Sequence, residues 1–125
     1  FCGSGSIGLE ALSRGAKRVI FNDIDNMNVE LVKNFLMKTG LDNYEIYNND
    51  ALKGKNLIYE NTDLLFLDPP YEVNIKLLEE NIFPQISNKC LVIFETDQKF
   101  KHQDIILKKK YGNKNLLFLR KTNET

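Results

Sequence analysis

The stretch that decides the fold class of this chain is Gly3-Ser4-Gly5-Ser6-Ile7-Gly8, which matches the pattern G-x-G-x-x-G. In this pattern the first two glycines allow a tight turn and a close approach of the backbone to a ligand. The third glycine lets a helix pack closely on a sheet, and Ser4 or Ser6 is predicted to cap that helix. The pattern therefore predicts a ligand-binding loop that leads from a strand into a helix of an α/β fold.

Helical periodicity follows the loop and recurs twice further along the chain. The first helix is predicted to end at Gly15, and the second to begin after Asp25 and end at Gly40. A third is predicted to stop near Pro84. Their apolar faces are predicted to be Ile7, Ala11 and Leu12, then Val29, Val32, Phe35 and Leu36, then Ile75, Leu78 and Ile82.

Short apolar runs between these helices predict strands. The last two runs flank a turn at residues 111–114 and predict a hairpin. Strands that alternate with helices and end in a hairpin indicate a mostly parallel sheet with an antiparallel C-terminal edge. The predicted strands are 17–22, 45–48, 64–67, 91–94, 104–110 and 116–120.

Composition excludes several classes of protein. The apolar share of 42% excludes wholesale disorder, and a formal net charge of zero gives no global attraction to a polyanion. No apolar run reaches membrane-spanning length, and Cys2 and Cys90 predict neither a metal site nor a disulfide framework. We expect one domain over residues 1–125 in the reducing cytoplasm. Because no strand precedes the glycine loop, we also expect the chain to be truncated at its N-terminus.

An acidic residue stands at the distance from the glycine loop that nucleoside sites use. Asp23 lies 20 residues beyond Gly3, and a carboxylate at this position commonly binds ribose hydroxyls. Asp25 could compete for that role, but its place before the second helix favours capping. The loop and Asp23 fit an NAD-type dinucleotide, whose pyrophosphate binds at a helix N-terminus, and equally S-adenosylmethionine, which carries no phosphate.

The second motif is Asp68-Pro69-Pro70-Tyr71, directly after the run 64–67, which reads as a buried strand. Two prolines end a strand because neither donates a ladder hydrogen bond, so a stiff tip forms at the edge where open α/β sheets bind ligands. The Asp68 carboxylate and a proline carbonyl are suited to accept both N–H groups of an adenine or guanine amine. Tyr71 is suited to stack on the base, which contributes roughly 1–3 kcal/mol. Catalysis then rests on positioning and electrostatics.

The motifs alone leave several functions open. An amino-group methyltransferase uses the Asp-Pro-Pro-Tyr tip, whereas an NAD-type oxidoreductase has no evident need for it. Within the methyltransferases, guanine N2 in RNA and adenine N6 in DNA or RNA are alternatives. A domain that folds without binding any cofactor is the non-enzymatic alternative.

Two further features are interpreted as surface. His102 stands in a polar run and is predicted to be solvated rather than catalytic. Residues 108–110, three successive lysines, are suited to contact an RNA backbone, but a solvated edge strand explains them equally well.

Residues 1–16, with the sequence FCGSGSIGLEALSRGA, resemble the first cofactor motif of the RsmD-like methyltransferases, which modify the guanine N2 amine of bacterial 16S ribosomal RNA. The order of Asp23, Asp50-Ala51 and the tip at residues 68–71 also follows this family, and the similarity covers essentially the whole chain. The resemblance implies a class I S-adenosylmethionine-dependent methyltransferase fold, Rossmann-like, with the strand order 3-2-1-4-5-7-6. It also implies that the N-terminal segment and the first strand of the family lie outside these residues.

The resemblance further implies roles for individual residues. Asp23 holds the cofactor ribose, Ile24 packs on the adenine, and Asp50 accepts a hydrogen bond from the adenine amine. Asp23 stands where many members carry glutamate, and this keeps the carboxylate. The implied catalytic residues are Asp68, Pro69, Pro70 and Tyr71, and the implied cofactor-binding residues are Phe1, Gly3, Ser4, Gly5, Asp23, Ile24, Asp50, Ala51 and Asp68.

The leading hypothesis is therefore methyl transfer from S-adenosyl-L-methionine to the N2 amine of a guanine in small-subunit (16S) ribosomal RNA. The expected partner is ribosomal RNA or an assembling small ribosomal subunit. We expect a monomeric protein that contacts no membrane.

Overall fold

The computed structural model describes residues 1–3, 5–53, 61–70 and 75–121. The chain divides into two compact units, Phe1–Ala51 and Leu52–Thr125. Among the described residues, hydrogen bonding forms one sheet in each unit, and each unit is described by itself. The expectation of a single domain over residues 1–125 stays a prediction.

The first unit is a strand–helix–strand arrangement preceded by a short helix. Its two strands run parallel, with Val19 opposite Tyr44 and Asn22 opposite Tyr47. Because the pairing begins at Val19, the first strand is two residues shorter than predicted, and the second is shifted by one residue. The elements are α1 (Ser6–Ser13), β1 (Val19–Asn22), α2 (Asn26–Thr39) and β2 (Tyr44–Tyr47).

The ends of α1 follow from glycine geometry. Gly5 occupies the N-cap position in the left-handed region, with a φ of 78°, and among the described residues no side chain caps the helix. The prediction of Ser6 as the cap is therefore wrong, since Ser6 is the first helical residue, and Ser4 lies outside the described residues. The predicted stop at Gly15 is confirmed, because its N–H donates to the Leu12 carbonyl and the next N–H, of Ala16, donates to the Ala11 carbonyl.

The ends of α2 are those predicted. The Asp25 carboxylate accepts a hydrogen bond from the Met27 N–H at 2.9 Å, and Gly40 ends the helix with a φ of 75°. The predicted apolar face is confirmed in part: its other members are buried, but Phe35 is 55% exposed. The buried face of α2 is therefore narrower than the face that its apolar residues predict. The spacing of apolar residues does not show how far around a helix its neighbours pack.

Side chains of α1, β1 and α2 pack together in the core of the first unit. The buried cluster consists of Leu12, Phe21, Val32 and Leu36, whereas Ile7, predicted to lie on the same face, is exposed. Gly8 allows this packing, because a Cβ added there would lie 2.7 Å from Cζ of Phe21. The third glycine of the loop therefore has the role that the pattern predicts.

Replacing Gly8 by alanine should destabilise the protein, although alanine is the better helix former by about 1 kcal/mol. The added methyl group would overlap the Phe21 ring, and overpacking in a core costs about 1–3 kcal/mol. The expected net change is a loss of up to about 2 kcal/mol in the free energy of unfolding, measured by urea denaturation.

The matched control is the exposed position Ser13 in the same helix, where alanine should be neutral or slightly stabilising. In a Phe21→Leu background, the Gly8→Ala substitution should cost less, because the ring that it overlaps is gone. A stabilised Gly8→Ala variant would contradict the packing described for α1 on β1.

The second unit is a four-stranded mixed sheet in the order β3-β4-β6-β5. β3 and β4 are parallel, and β6 pairs antiparallel with both β4 and β5, so β5 is an edge strand. A 3-10 turn at Phe83–Gln85 follows α3, near the stop predicted at Pro84. The elements are β3 (Leu64–Leu67), α3 (Ile75–Asn81), β4 (Leu91–Thr96), β5 (Ile105–Tyr111) and β6 (Lys114–Leu119).

Within each sheet the strand order agrees with the order implied by the resemblance. β1 and β2 correspond to the neighbouring pair 3-2, and β3-β4-β6-β5 corresponds to the run 4-5-7-6. The predicted terminal hairpin is confirmed as β5 and β6, which turn at Gly112 with a φ of 60°. β3 lies where predicted, but it is buried only at Leu67, since Leu64 is 56% exposed.

Aromatic packing in the second unit overturns the prediction of a solvated histidine. His102 stacks on Phe100, with 5.8 Å between ring centroids, and meets Phe83 edge to face. Its Nδ1 accepts a hydrogen bond from the Asp104 N–H at 3.1 Å. A polar sequence neighbourhood therefore did not reveal a ring that long-range packing covers.

Within the part of the chain that the structure describes, no helix has the length and apolar character needed to cross a membrane.

Candidate functional site

The glycine loop folds onto the end of β1. The Cys2 N–H donates to the Asn22 carbonyl at 3.1 Å, and the Gly5 N–H donates to the Cys2 carbonyl at 2.8 Å. Gly3 has a φ of 54°, and a Cβ there would meet nothing within 4 Å. Its positive φ, rather than crowding, therefore requires glycine. The loop leaves open space at Gly3 and delivers a helix N-terminus without a side-chain cap among the described residues.

Asp23 organises this loop. Its Oδ2 accepts a hydrogen bond from the Gly3 N–H at 2.9 Å, and its Oδ1 accepts one from the Asp25 N–H at 2.8 Å. Burial raises the pKa of Asp23, but these two backbone hydrogen bonds, the positive charge of the Phe1 nitrogen and the Asn28 amide together hold the pKa below its usual value. The carboxylate is therefore ionised at neutral pH. Sequence spacing predicted a ribose acceptor, and the structure adds a second task, which is to anchor the glycine loop.

The loops that follow β1 and β2 are tied together by asparagines. The Asn48 side-chain amide donates to the carbonyl of Asp23 at 2.9 Å and to that of Ile24 at 3.0 Å. The Asn49 N–H donates to the side-chain oxygen of Asn22 at 3.0 Å. Sequence reasoning placed Asn48 in a strand and assigned it no role, although a polar residue at the carboxyl end of a parallel strand is a signal for a site.

The other predicted cofactor-binding residues of the first unit lie around these loops. The Phe1 nitrogen donates to the Asn22 carbonyl at 2.9 Å. Ile24 follows the buried Asp23 and is 63% exposed, so an apolar side chain stands open beside a carboxylate. Asp50 is half-buried and Ala51 is buried. An ionised acceptor, an exposed apolar side chain and an open glycine loop together fit the ribose, base and backbone-facing parts of a nucleoside.

The second motif follows β3 in the second unit. The strand ends at the buried Leu67, after which Asp68 and Pro70 are exposed and Pro69 is half-buried. Tyr71 lies outside the described residues, so its stacking role stays a prediction. The tip therefore presents a carboxyl group and proline carbonyls directly after the carboxyl end of a parallel strand.

A second carboxyl group adjoins Asp68. Desolvation of the Asp68 carboxyl raises its pKa, and the negative charge and side-chain hydrogen bond of Glu95 raise it further, while Lys114 opposes the change. Lys114 Nζ lies 3.7 Å from Oε1 of Glu95. The predicted strand 91–94 ends just before Glu95, but no function was predicted for Glu95 or Lys114. The signal that could have identified Glu95 is its position as an acid near the carboxyl end of β4, the neighbour of β3, which Asp68 follows.

Solved structures define the class of fold. A Haemophilus influenzae protein described as a methylase matches with a TM-score of 0.74 and 29% identity over 96% of this chain and 82% of that chain. An RNA methyltransferase from Salinibacter ruber, in complex with S-adenosyl-L-homocysteine, matches with a TM-score of 0.79 and 18% identity over 98% of this chain and 78% of that chain. The fold is the class I methyltransferase fold, as the resemblance implied.

The family follows from the sequence comparison. Residues 1–120 match the family described as "Conserved hypothetical protein 95", and the chain belongs to it. A relative from Haemophilus influenzae named "Ribosomal RNA small subunit methyltransferase D" is 35% identical over 109 residues, covering 78% of this chain and 54% of the relative. This confirms the RsmD-like resemblance. The chain spans about half the length of the curated relatives it matches.

Proposed function

We propose that this chain is the catalytic core of an S-adenosyl-L-methionine-dependent methyltransferase that modifies the N2 amine of a guanine in small-subunit (16S) ribosomal RNA. One observation carries the proposal: an Asp-Pro-Pro tip follows a parallel strand in a chain of this family. Two acceptors on a rigid tip are what an exocyclic amine needs, because it offers two N–H groups and a lone pair delocalised into the ring.

The first unit supplies the cofactor-binding residues. Asp23 is ionised, and its Oδ1 accepts a hydrogen bond from a ribose hydroxyl, since this oxygen has capacity for a second donor beside the Asp25 N–H. Ile24 packs its exposed side chain on the adenine, and Asp50 accepts from the adenine amine. Gly3 and Gly5 face the methionine part. S-adenosyl-L-methionine supplies an electrophilic methyl group on a sulfonium sulfur.

The second unit supplies the groups that orient the substrate. Asp68 and a proline carbonyl of the tip accept the two N–H groups of the target amine, which favours a pyramidal nitrogen with its lone pair free to attack. Tyr71 stacks on the flipped base. Because the tip is stiffened by two prolines, little ordering entropy is lost when the amine binds.

The expected partner is ribosomal RNA, alone or in an assembling small subunit, in the cytoplasm. Relatives carry ribosomal RNA in their names, which favours RNA over DNA. The exposed lysines of β5, residues 108–110, form a positively charged edge suited to a phosphate backbone. We expect a monomer.

The test is transfer of a tritiated methyl group from labelled S-adenosyl-L-methionine to 16S ribosomal RNA or to assembling small subunits. The full-length protein should label the RNA, and label should be absent without enzyme. Transfer to DNA but not to RNA would favour the alternative of an adenine-N6 methyltransferase. No transfer to any nucleic acid would contradict the proposed function.

A further inference from the structure

We propose that Glu95 is a positioning residue for methyl transfer: it pairs with Asp68 so that Asp68 receives the proton released by the target amine, and Lys114 holds Glu95 in place. This inference rests on the proposed function, because it assigns a step to the same site. It goes beyond that function, because the motif at residues 68–71 contains neither Glu95 nor Lys114.

Sheet register places the two carboxyl groups together. β3 and β4 are parallel, and their last paired residues are Leu67 and Phe94. The next residues are Asp68, directly after β3, and Glu95, within β4, so the two side chains lie side by side at the carboxyl end of β3. The two carboxyl groups interact, since the negative charge of Glu95 contributes to raising the pKa of Asp68. Two interacting carboxyl groups hold one proton between them more readily than an isolated carboxylate holds its own.

Lys114 lies on a different strand, β6, and its side chain contacts Glu95. It begins β6, which pairs antiparallel with β4. Its Nζ lies 3.7 Å from Oε1 of Glu95, whose side chain is 26% exposed, whereas the Lys114 side chain is 50% exposed. The cation therefore directs Glu95 and offsets part of the negative charge that two neighbouring carboxylates create. Among the residues of the second unit that the structure describes, Glu95 and Lys114 are the charged groups that act on Asp68.

The chemistry requires a proton acceptor at this place. When the nitrogen lone pair forms the bond to the methyl carbon, the carbon–sulfur bond breaks and sulfur keeps its electron pair. The nitrogen then carries a positive charge and one proton in excess. That proton passes to Asp68, and the pair of carboxylates changes from two negative charges to one. Glu95 stabilises the protonated product state of Asp68 through the shared hydrogen bond.

The pairing predicts that two substitutions shift the pKa of the Asp68 carboxyl in opposite directions. Desolvation and the neighbouring Glu95 raise the pKa of Asp68 in the wild type, and Lys114 lowers it. Glu95→Gln removes the like charge, so the pKa of Asp68 should fall. Lys114→Gln removes the opposing cation, so the pKa of Asp68 should rise. NMR titration of carboxyl carbons in the folded protein measures both shifts without any need for activity.

The catalytic consequence appears in the pH dependence of kcat. Because Asp68 accepts a proton only when ionised, activity falls on the acid side as pH drops through its pKa. Glu95→Gln should shift this acid limb, the fall in kcat at low pH, to lower pH. It should also lower kcat at neutral pH about tenfold, since a weaker base accepts the proton less well. Lys114→Gln should shift the acid limb to higher pH. Glu80→Gln, on the exposed face of α3, is the charge-matched control and should leave the profile unchanged.

The outcomes separate this inference from the proposed function. A wild-type enzyme that transfers methyl groups, with an unshifted acid limb in both Glu95→Gln and Lys114→Gln, would overturn the inference alone. A wild-type enzyme that transfers none contradicts the proposed function, and with it the catalytic role of the pair. If Glu95→Gln fails to fold, Lys114→Gln decides, because its half-exposed side chain is replaceable without loss of the core. A purely structural Glu95 would lower activity at every pH without moving the limb.

Discussion

Replacing Asp68 by alanine should lower kcat/KM for methyl transfer to ribosomal RNA about 10²–10⁴-fold, the range for loss of a positioned acceptor or proton-transfer group. The carboxyl orients the amine and receives its proton, so both contributions are lost together. Folding should be unaffected, because Asp68 is exposed and its loss relieves repulsion from Glu95. Labelled transfer under single-turnover conditions measures the chemical step.

The control for Asp68 lies at the opposite end of the same strand. Asp63 is exposed just before β3, so Asp63→Asn removes a similar charge far from the tip and should keep wild-type activity. Asp68→Asn keeps an acceptor oxygen but cannot take the proton, so we expect intermediate activity. Transfer that is unchanged after Asp68→Ala would exclude the mechanism built on the tip.

Replacing Asp23 by alanine should weaken the binding of S-adenosyl-L-homocysteine roughly 10–100-fold. Hydrogen bonds to a charged acceptor contribute about 1.5–3 kcal/mol each, and every 1.4 kcal/mol is a factor of ten in affinity. The Gly3 N–H also loses its partner, so the glycine loop is less well organised for the ligand. Isothermal titration calorimetry measures the change, and thermal unfolding without ligand reports the separate loss of loop anchoring.

Two variants make this result specific to the carboxylate at position 23. Asp23→Glu keeps the carboxylate, so it should retain most of the affinity. Asp42→Asn alters an exposed acid of the same unit and should leave the affinity unchanged. Saturable binding of NAD, with none of S-adenosyl-L-homocysteine, would instead support an oxidoreductase, and binding of neither would support a domain without cofactor.

Local geometry explains why so much of the fold was readable from the sequence. The loop glycines, the Asp25 cap and the stops at Gly15 and Gly40 each reflect a backbone conformation or hydrogen bond set within a few residues. The strands were located by short apolar runs between such boundaries. Their order came from the resemblance, because no local signal records which strands pair.

Burial was predicted less well, because it depends on what the rest of the chain covers. Phe35 and Ile7 continue helical apolar faces, yet both are exposed in the described structure. His102 stands among polar neighbours in sequence, yet Phe83 and Phe100 pack on its ring. Periodicity gives the direction of a face, whereas its width is set by contacts from distant segments.

In the candidate site, too, residues marked by a local signal were predicted, and residues joined to the site by long-range contacts were not. Spacing from the glycine loop identified Asp23, and the proline pair identified Asp68, because both signals are local. Glu95 was not identified, because its link to Asp68 depends on the register between two strands 27 residues apart in sequence. Asn48 was missed for a similar reason, since it is joined to the loop after β1 by side-chain hydrogen bonds alone.

The identity of the methylated nucleoside decides between guanine N2 and adenine N6 as the target. Ribosomal RNA labelled by the full-length protein and tritiated S-adenosyl-L-methionine is digested to nucleosides, which are separated by chromatography. We expect the label to elute with N2-methylguanosine and to be lost with Asp68→Ala. Label that elutes with N6-methyladenosine would contradict methyl transfer to guanine N2.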